Sequence, residues 1–92
     1  MKTIWKYFIN PIGIEWKKLP IGAQIVSVGQ DCGGAFCFWA IVDPSAETES
    51  RAFWFGGTGW DIPERFEYLG MVREDPYIWH FGEMHLQEDW TR

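Results

Sequence analysis

Residues 36–42 read Phe-Cys-Phe-Trp-Ala-Ile-Val, seven apolar residues with no polar side chain between them. Together with Ala35 they form the longest apolar run of the chain, and this run ends at Asp43-Pro44. A short apolar run bounded by turn residues is typical of a strand that is covered on both faces. We therefore predict that residues 36–42 form the central strand of a β-sheet.

Six further short segments on either side of this strand have the composition of β-strands, and turn residues separate them. They are residues 3–8, 14–18, 23–29, 51–55, 66–73 and 77–84. The first of them alternates in a way that suits a strand near the sheet margin, and no segment longer than about ten residues shows the apolar period of an amphipathic helix. The pattern predicts an all-β fold, a small antiparallel barrel or sandwich of about six to seven short strands.

Two loops and a tail complete the predicted organisation. Residues 43–50 are polar and predict a solvated hairpin loop, whereas residues 56–63 contain three glycines, one proline and Trp60. A loop of the second kind is a common place for function. We predict a single β domain over residues 1–86 and a polar C-terminal tail over residues 87–92.

Length and charge exclude several classes of protein. The chain has 92 residues, enough for one domain, and a formal net charge of -5, which disfavours direct DNA binding. No run of about 20 apolar residues is present, and residues 1–7 do not resemble a signal peptide, so we expect a cytoplasmic protein that does not cross a membrane. The two cysteines are expected to be free thiols.

The sequence contains no convincing catalytic or metal-binding pattern. Cys32 and Cys37, with His80 and His85, are the four side chains that zinc would accept most readily. An offset of five residues along a strand points the two members of each pair to opposite faces, so we predict no metal site. No serine or cysteine lies in a nucleophile elbow, and the glycine loop lacks the lysine of a phosphate-binding loop, so we predict neither an enzyme nor a bound cofactor.

Seven tryptophans are more than a core of this size can absorb. We expect at least two or three of Trp5, Trp16, Trp54, Trp60 and Trp90 to be partly exposed, and exposed aromatic surface favours interaction. An aromatic-rich core or a homodimer interface would also explain this composition. All three interpretations stay open at this point.

Several stretches are similar to a family of small phage and prophage proteins of unknown function. The resemblance rests on residues 1–7 (Met-Lys-Thr-Ile-Trp-Lys-Tyr), on Trp39-Ala40-Ile41-Val42-Asp43-Pro44 and on Gly57-Thr58-Gly59. It implies a phage origin and expression inside a bacterial host, where small acidic phage proteins often block host defence, for example as anti-CRISPR proteins. No catalytic residue comes with the resemblance.

Two functional hypotheses follow. In the first, the protein binds and inhibits a host defence protein through aromatic and acidic surface, because tryptophan is enriched among residues that dominate interface energetics. The partner-binding candidates are Trp60, Asp61, Trp54, Glu88, Asp89 and Trp90. In the second, the protein sequesters a nucleotide immune signal, with the base stacked on tryptophan and the phosphates held by basic side chains. The ligand-binding candidates are Trp5, Lys6, Lys17, Lys18 and Arg51, with Trp60 as an alternative stacking surface.

Overall fold

The computed structural model describes residues 1–10 and 12–86, and the fold of this part of the chain is a two-sheet β-sandwich. Seven strands occur in it: β1 (Thr3–Phe8), β2 (Gly13–Pro20), β3 (Gln24–Gln30), β4 (Phe36–Val42), β5 (Thr48–Gly57), β6 (Phe66–Glu74) and β7 (Tyr77–Met84). One sheet has the order β1-β4-β3 and the other has the order β2-β5-β7-β6, with every neighbouring pair antiparallel. The predicted all-β class is confirmed, and the architecture is a sandwich rather than a closed barrel. No helix among these residues is long and apolar enough to cross a membrane.

The strand β4 is central in its sheet, as predicted, and β1 lies at the edge of that sheet. Side chains alternate along β4, so that Phe38, Ala40 and Val42 are buried between the sheets. On the opposite face Cys37 is buried, but Trp39 and Ile41 are only half-buried. The expectation that β4 is fully covered on both faces is therefore wrong at these two positions, because no element packs over the outer side of the three-stranded sheet within the described residues.

The two sheets are joined by an aromatic core. The ring of Phe38 lies 5.0 Å from that of Phe53 and 5.2 Å from that of Phe81, while Tyr7 stacks on Phe38 at 5.1 Å. Burial of each phenylalanine stabilises the fold by roughly 1.5–3 kcal/mol. The inward face of β5 and β7 thus holds the sandwich together, and their outward face remains available for another role.

The strand β5 is longer than the sequence predicts. It begins at Thr48 inside the expected polar loop and ends at Gly57 inside the expected glycine loop. Thr48 pairs with Pro20 and Ser50 pairs with Lys18, both at the end of the edge strand β2. Polar side chains are tolerated there because Thr48 and Ser50 are exposed. A prediction from hydrophobic periodicity therefore underestimates the length of β5.

Candidate functional site

The outward face of the four-stranded sheet presents an aromatic surface beside the glycine loop. Phe53, Phe55 and Phe81 point into the core, so the alternating residues Trp54 of β5 and His80 of β7 point outward. On β6, Phe66 and Tyr68 share this outward face, opposite Met84 and Gly82 of β7. This arrangement brings together side chains from three strands that are distant in sequence.

Trp54 forms the floor of this surface. Its ring packs edge-on against Phe66, with ring centroids 5.5 Å apart, and only 8% of the residue is exposed. Glycines make the packing possible, because a Cβ at Gly56 would overlap the Trp54 ring and a Cβ at Gly82 would overlap the Phe66 ring. The absence of side chains at these two positions lets the Trp54 ring lie against Gly56 and the Phe66 ring lie against Gly82.

Trp60 forms a wall above this floor. The turn that carries it is closed by a hydrogen bond from the Trp60 N–H to the Gly57 carbonyl, 3.2 Å long. Its indole lies over Gly56 and Gly57 and meets the Trp79 ring edge-on at 6.0 Å, while 48% of the residue remains exposed. Trp60 is therefore fixed in position and at the same time accessible to a partner.

Three polar side chains form a connected network at the base of the wall. The Tyr68 hydroxyl lies 2.8 Å from His80 Nδ1, and the Thr58 hydroxyl lies 2.7 Å from His80 Nε2. The Thr58 hydroxyl also donates to the Ile78 carbonyl at 3.4 Å. The network links β6, β7 and the glycine loop, so it holds the loop against the sheet.

These elements enclose a cavity of about 370 Å³ that we name the Trp60 groove. Its lining residues are Trp54, Gly57, Thr58, Gly59, Trp60, Ile62, Phe66, Tyr68 and His80. A second cavity, of about 500 Å³, is also lined by Trp60, together with Trp79 and Tyr77. Trp60 thus lines two concave surfaces, and tryptophan is enriched among the residues that contribute most to interfaces.

The electrostatic surroundings of the groove are acidic. Residues 57–80, which supply most of its lining, contain five acidic and two basic side chains, whereas all four lysines of the chain lie in residues 1–18. Asp61 is exposed directly after Trp60. No Lys or Arg of the described residues lines the groove. The site is suited to a neutral or cationic ligand.

The structure places the predicted partner-binding residues in three different situations. Trp60 and Asp61 are exposed on the glycine loop, as expected. Trp54 is only 8% exposed, because Phe66 packs against its ring, although it still lines the groove. Glu88, Asp89 and Trp90 lie outside the described residues. With Trp5 and Trp16 also exposed, the predicted number of partly exposed tryptophans is confirmed.

The predicted ligand-binding residues do not converge on one site. Trp5 and Lys6 lie on β1 in the three-stranded sheet, whereas Lys17, Lys18 and Arg51 lie in the other sheet. Neighbouring residues of a strand point to opposite faces, which separates Trp5 from Lys6 and Lys17 from Lys18. These five side chains therefore do not form the single phosphate and base site that the second hypothesis requires.

Three of these basic side chains already have acidic partners. Lys6 lies 3.0 Å from Asp31, and this hydrogen bond raises the pKa of Lys6 and lowers that of Asp31. Lys17 lies 3.0 Å from Glu15. The Arg51 guanidinium makes two hydrogen bonds of 2.7 Å to Glu83, and these raise its pKa further.

The arginine pair belongs to a polar cluster at the opposite end of the sandwich. Glu67, Glu83 and His85 could each offer one ligand atom within 4.8 Å of the others. Glu83 already accepts both hydrogen bonds from Arg51, and Glu67 lies 2.7 Å from His85 Nε2. We assign no metal to this cluster, since the pairing within it accounts for its geometry.

Cys37 and His80, considered above as zinc ligands, lie on the outward faces of different sheets.

Sequence reasoning missed the residues that complete the groove. Thr58, Phe66, Tyr68 and His80 were not among the partner-binding or ligand-binding candidates, and His80 was considered only as a zinc ligand. The period-two alternation places Phe66 with Tyr68 on one face of β6, and it could have signalled an aromatic surface. Their convergence with Trp60 depends on the pairing of β6 with β7, which no local pattern reveals.

Fold and site together define a small β-sandwich with an aromatic groove on the outer face of one sheet. The chain belongs to the DUF7352 family, a domain of unknown function, whose family model matches residues 1–91. The comparison with curated proteins found no match. The comparison with solved structures likewise found none.

Proposed function

We propose that this protein is a binding protein without catalytic activity, and that its Trp60 groove docks on a basic surface of a partner protein. The observation that carries the proposal is the position of Trp60, which is 48% exposed, lines two cavities and packs against Trp79. Tryptophan in such a setting is enriched among the few residues that dominate binding energy. A rigid aromatic side chain also loses little conformational entropy when it binds.

Charge supports a basic partner. The protein carries a net charge of -5, and Asp61 is exposed directly after Trp60. An acidic surface accelerates encounter with a basic one and disfavours nucleic acid. The tail residues Glu88 and Asp89 are counted in this net charge.

The resemblance to phage proteins supports one class of partner, a bacterial host defence protein. In this proposal the protein acts as an anti-defence inhibitor of the anti-CRISPR or a related type, in the cytoplasm of the host. A basic surface that normally holds nucleic acid is the kind of target that an acidic aromatic groove would fit. Inhibition would then result from occupancy of that surface.

The test begins with capture of a partner by the tagged protein from the lysate of a host that carries defence systems. The captured protein is then purified, and its affinity is measured by calorimetry at two salt concentrations. We expect Trp60→Ala to weaken binding by about 30-fold, the equivalent of a hot spot of about 2 kcal/mol. Asp61→Lys should weaken binding mainly at low salt, because screening removes the attraction.

Trp16→Ala is the matched control. Trp16 is 57% exposed on the same outer face, but it lies on the edge strand β2 and does not line the groove. We expect this variant to bind within about 2-fold of the wild type. Loss of affinity with Trp16→Ala but not with Trp60→Ala would contradict the proposal, and salt-independent binding would contradict its electrostatic part.

The nucleotide hypothesis makes a different prediction. A nucleotide sponge should show a thermal shift with nucleotide alone, and this shift should be lost in Trp5→Ala or Arg51→Met. The pairing of Lys6, Lys17 and Arg51 with acidic side chains gives this function less support. A self-associating surface would show instead as a dimer in analytical ultracentrifugation.

A further inference from the structure

We propose that the Trp60 groove receives an arginine side chain of the partner, with the guanidinium stacked against Trp60 and hydrogen-bonded to the hydroxyl oxygens of Tyr68 and Thr58. This inference rests on the proposed function and names the contact at its centre. Three features of the groove support it: its aromatic lining, the polarity of its hydrogen-bonding groups and its charge.

The aromatic lining suits a cation. Trp54, Phe66 and Tyr68 follow one another around the groove, with ring centroids 5.5 Å apart for the first pair and 6.4 Å for the second. Trp60 adds an exposed indole as the wall. The face of an aromatic ring attracts a cation, most strongly in tryptophan, and aromatic cages bind cationic groups in this way.

The hydrogen-bonding groups at the base of the groove present acceptors. We assign His80 the tautomer with its proton on Nε2, in which the Thr58 hydroxyl donates to the Ile78 carbonyl. His80 then donates from Nε2 to Thr58 and accepts at Nδ1 from the Tyr68 hydroxyl. Each donor of these three side chains is used, and the oxygen lone pairs of Tyr68 and Thr58 remain for a ligand that donates.

The charge of the groove favours some hydrogen-bond-donating ligands over others. The described residues provide no Lys or Arg in the groove lining, so a phosphate group would meet no counter-charge there. Asp61, exposed directly after Trp60, adds a negative charge that favours a cation. A guanidinium satisfies all three features, because it is flat, stacks on aromatic rings and offers five N–H donors, whereas an ammonium is compact and more strongly hydrated.

The experiment is a titration of the ¹⁵N-labelled protein with N-acetyl-arginine amide, followed by heteronuclear NMR. N-acetyl-citrulline amide is the control, since it has nearly the same shape and no charge. We expect saturable shifts at the Trp60 indole N–H and at the backbone of Thr58 and His80 with the arginine compound, and a response at least about 5-fold weaker with citrulline. N-acetyl-lysine amide should bind more weakly than arginine.

Variants localise the effect. Trp60→Ala should weaken arginine binding by about 5- to 30-fold, and Trp60→Phe should restore part of the loss, because a smaller aromatic face remains. Trp16→Ala, outside the groove, should bind arginine as the wild type does. Unchanged one-dimensional spectra of each variant provide the check on folding.

Two outcomes would overturn the inference. One is equal binding of citrulline and arginine, which would show that charge plays no part. The other is a set of arginine shifts spread over acidic residues without saturation at Trp60. If either occurs while Trp60→Ala still disrupts the protein complex, the arginine assignment is wrong and the docking function stands. If arginine binds as expected but Trp60→Ala leaves the complex intact, the docking function is wrong.

Discussion

Replacement of Arg51 by Met tests whether this arginine is a structural residue or a ligand-binding one. Arg51 on β5 forms a bidentate ion pair with Glu83 on β7. Its remaining guanidinium nitrogen, Nη1, donates a hydrogen bond of 2.6 Å to the carbonyl of Ala23, the residue just before β3 of the other sheet. Glu83 is 6% exposed. Removal of the guanidinium therefore leaves a buried carboxylate without this counter-charge and a carbonyl without this donor.

The magnitude follows from this burial. Loss of one partner of a buried ion pair costs about 3–5 kcal/mol, whereas a surface pair contributes about 0–1 kcal/mol. We expect Arg51→Met and Glu83→Leu each to lower the free energy of unfolding by about 3–5 kcal/mol. The double variant replaces the pair by apolar groups of similar size and should cost only about 1–2 kcal/mol, most of it from the Ala23 carbonyl.

The assay is urea unfolding of the wild type, both single variants and the double variant, followed by tryptophan fluorescence. Linear extrapolation at a common slope gives the four free energies. We expect a coupling energy of at least about 3 kcal/mol between the two positions. If the two single variants change the free energy of unfolding additively, or if each lowers it by less than about 1 kcal/mol, the pair is not structural. Arg51 would then be available to bind a ligand.

Three further predictions concern the packing, the pH dependence and the thiols. Gly82→Ala should destabilise the fold by about 1–3 kcal/mol in urea unfolding, because the added Cβ overlaps the Phe66 ring; an unchanged midpoint would contradict this packing. Hydrogen bonds from Lys6 and from backbone N–H groups lower the pKa of Asp31. The Asp31 carboxylate therefore stabilises the folded protein at pH values above the usual aspartate pKa, and this stabilisation is lost as the pH falls through the lowered pKa of Asp31. Asp31→Asn should therefore melt at a lower temperature than the wild type at neutral pH, and the difference should vanish in acid; a constant difference would contradict the linkage. A thiol reagent should label Cys32 in the native protein but Cys37 only after unfolding, since Cys37 is buried and burial raises the pKa of its thiol; mass spectrometry after each reaction decides this.

The glycine loop shows how far local sequence could predict the site. The three glycines and the proline around Trp60 indicated an exposed loop with an accessible tryptophan, and the structure confirms this placement. Trp54 lies on the strand before this loop. It is buried because Gly56 and Gly82 leave room for its ring and for Phe66, and Gly82 reaches this position only through the pairing of β7 with β5.

His80 shows why the remainder of the site could not be predicted. Its sequence neighbours give no sign that Tyr68 and Thr58 bond to its two ring nitrogens. These contacts span 12 and 22 residues of sequence separation and depend on strand register. A shift of one residue in that register would turn His80 away from both partners.

The sequence by itself determined the all-β class, the position of the central strand Phe36–Val42 and the edge placement of Thr3–Phe8, because alternation and turn residues act between near neighbours. Only the tertiary structure decided the division into the sheets β1-β4-β3 and β2-β5-β7-β6, and the pairing of Arg51 with Glu83. It also decided that the Trp60 groove would form. These features depend on which distant strands share hydrogen bonds and which outward faces stay uncovered, and this choice is made by the packing of the whole aromatic core.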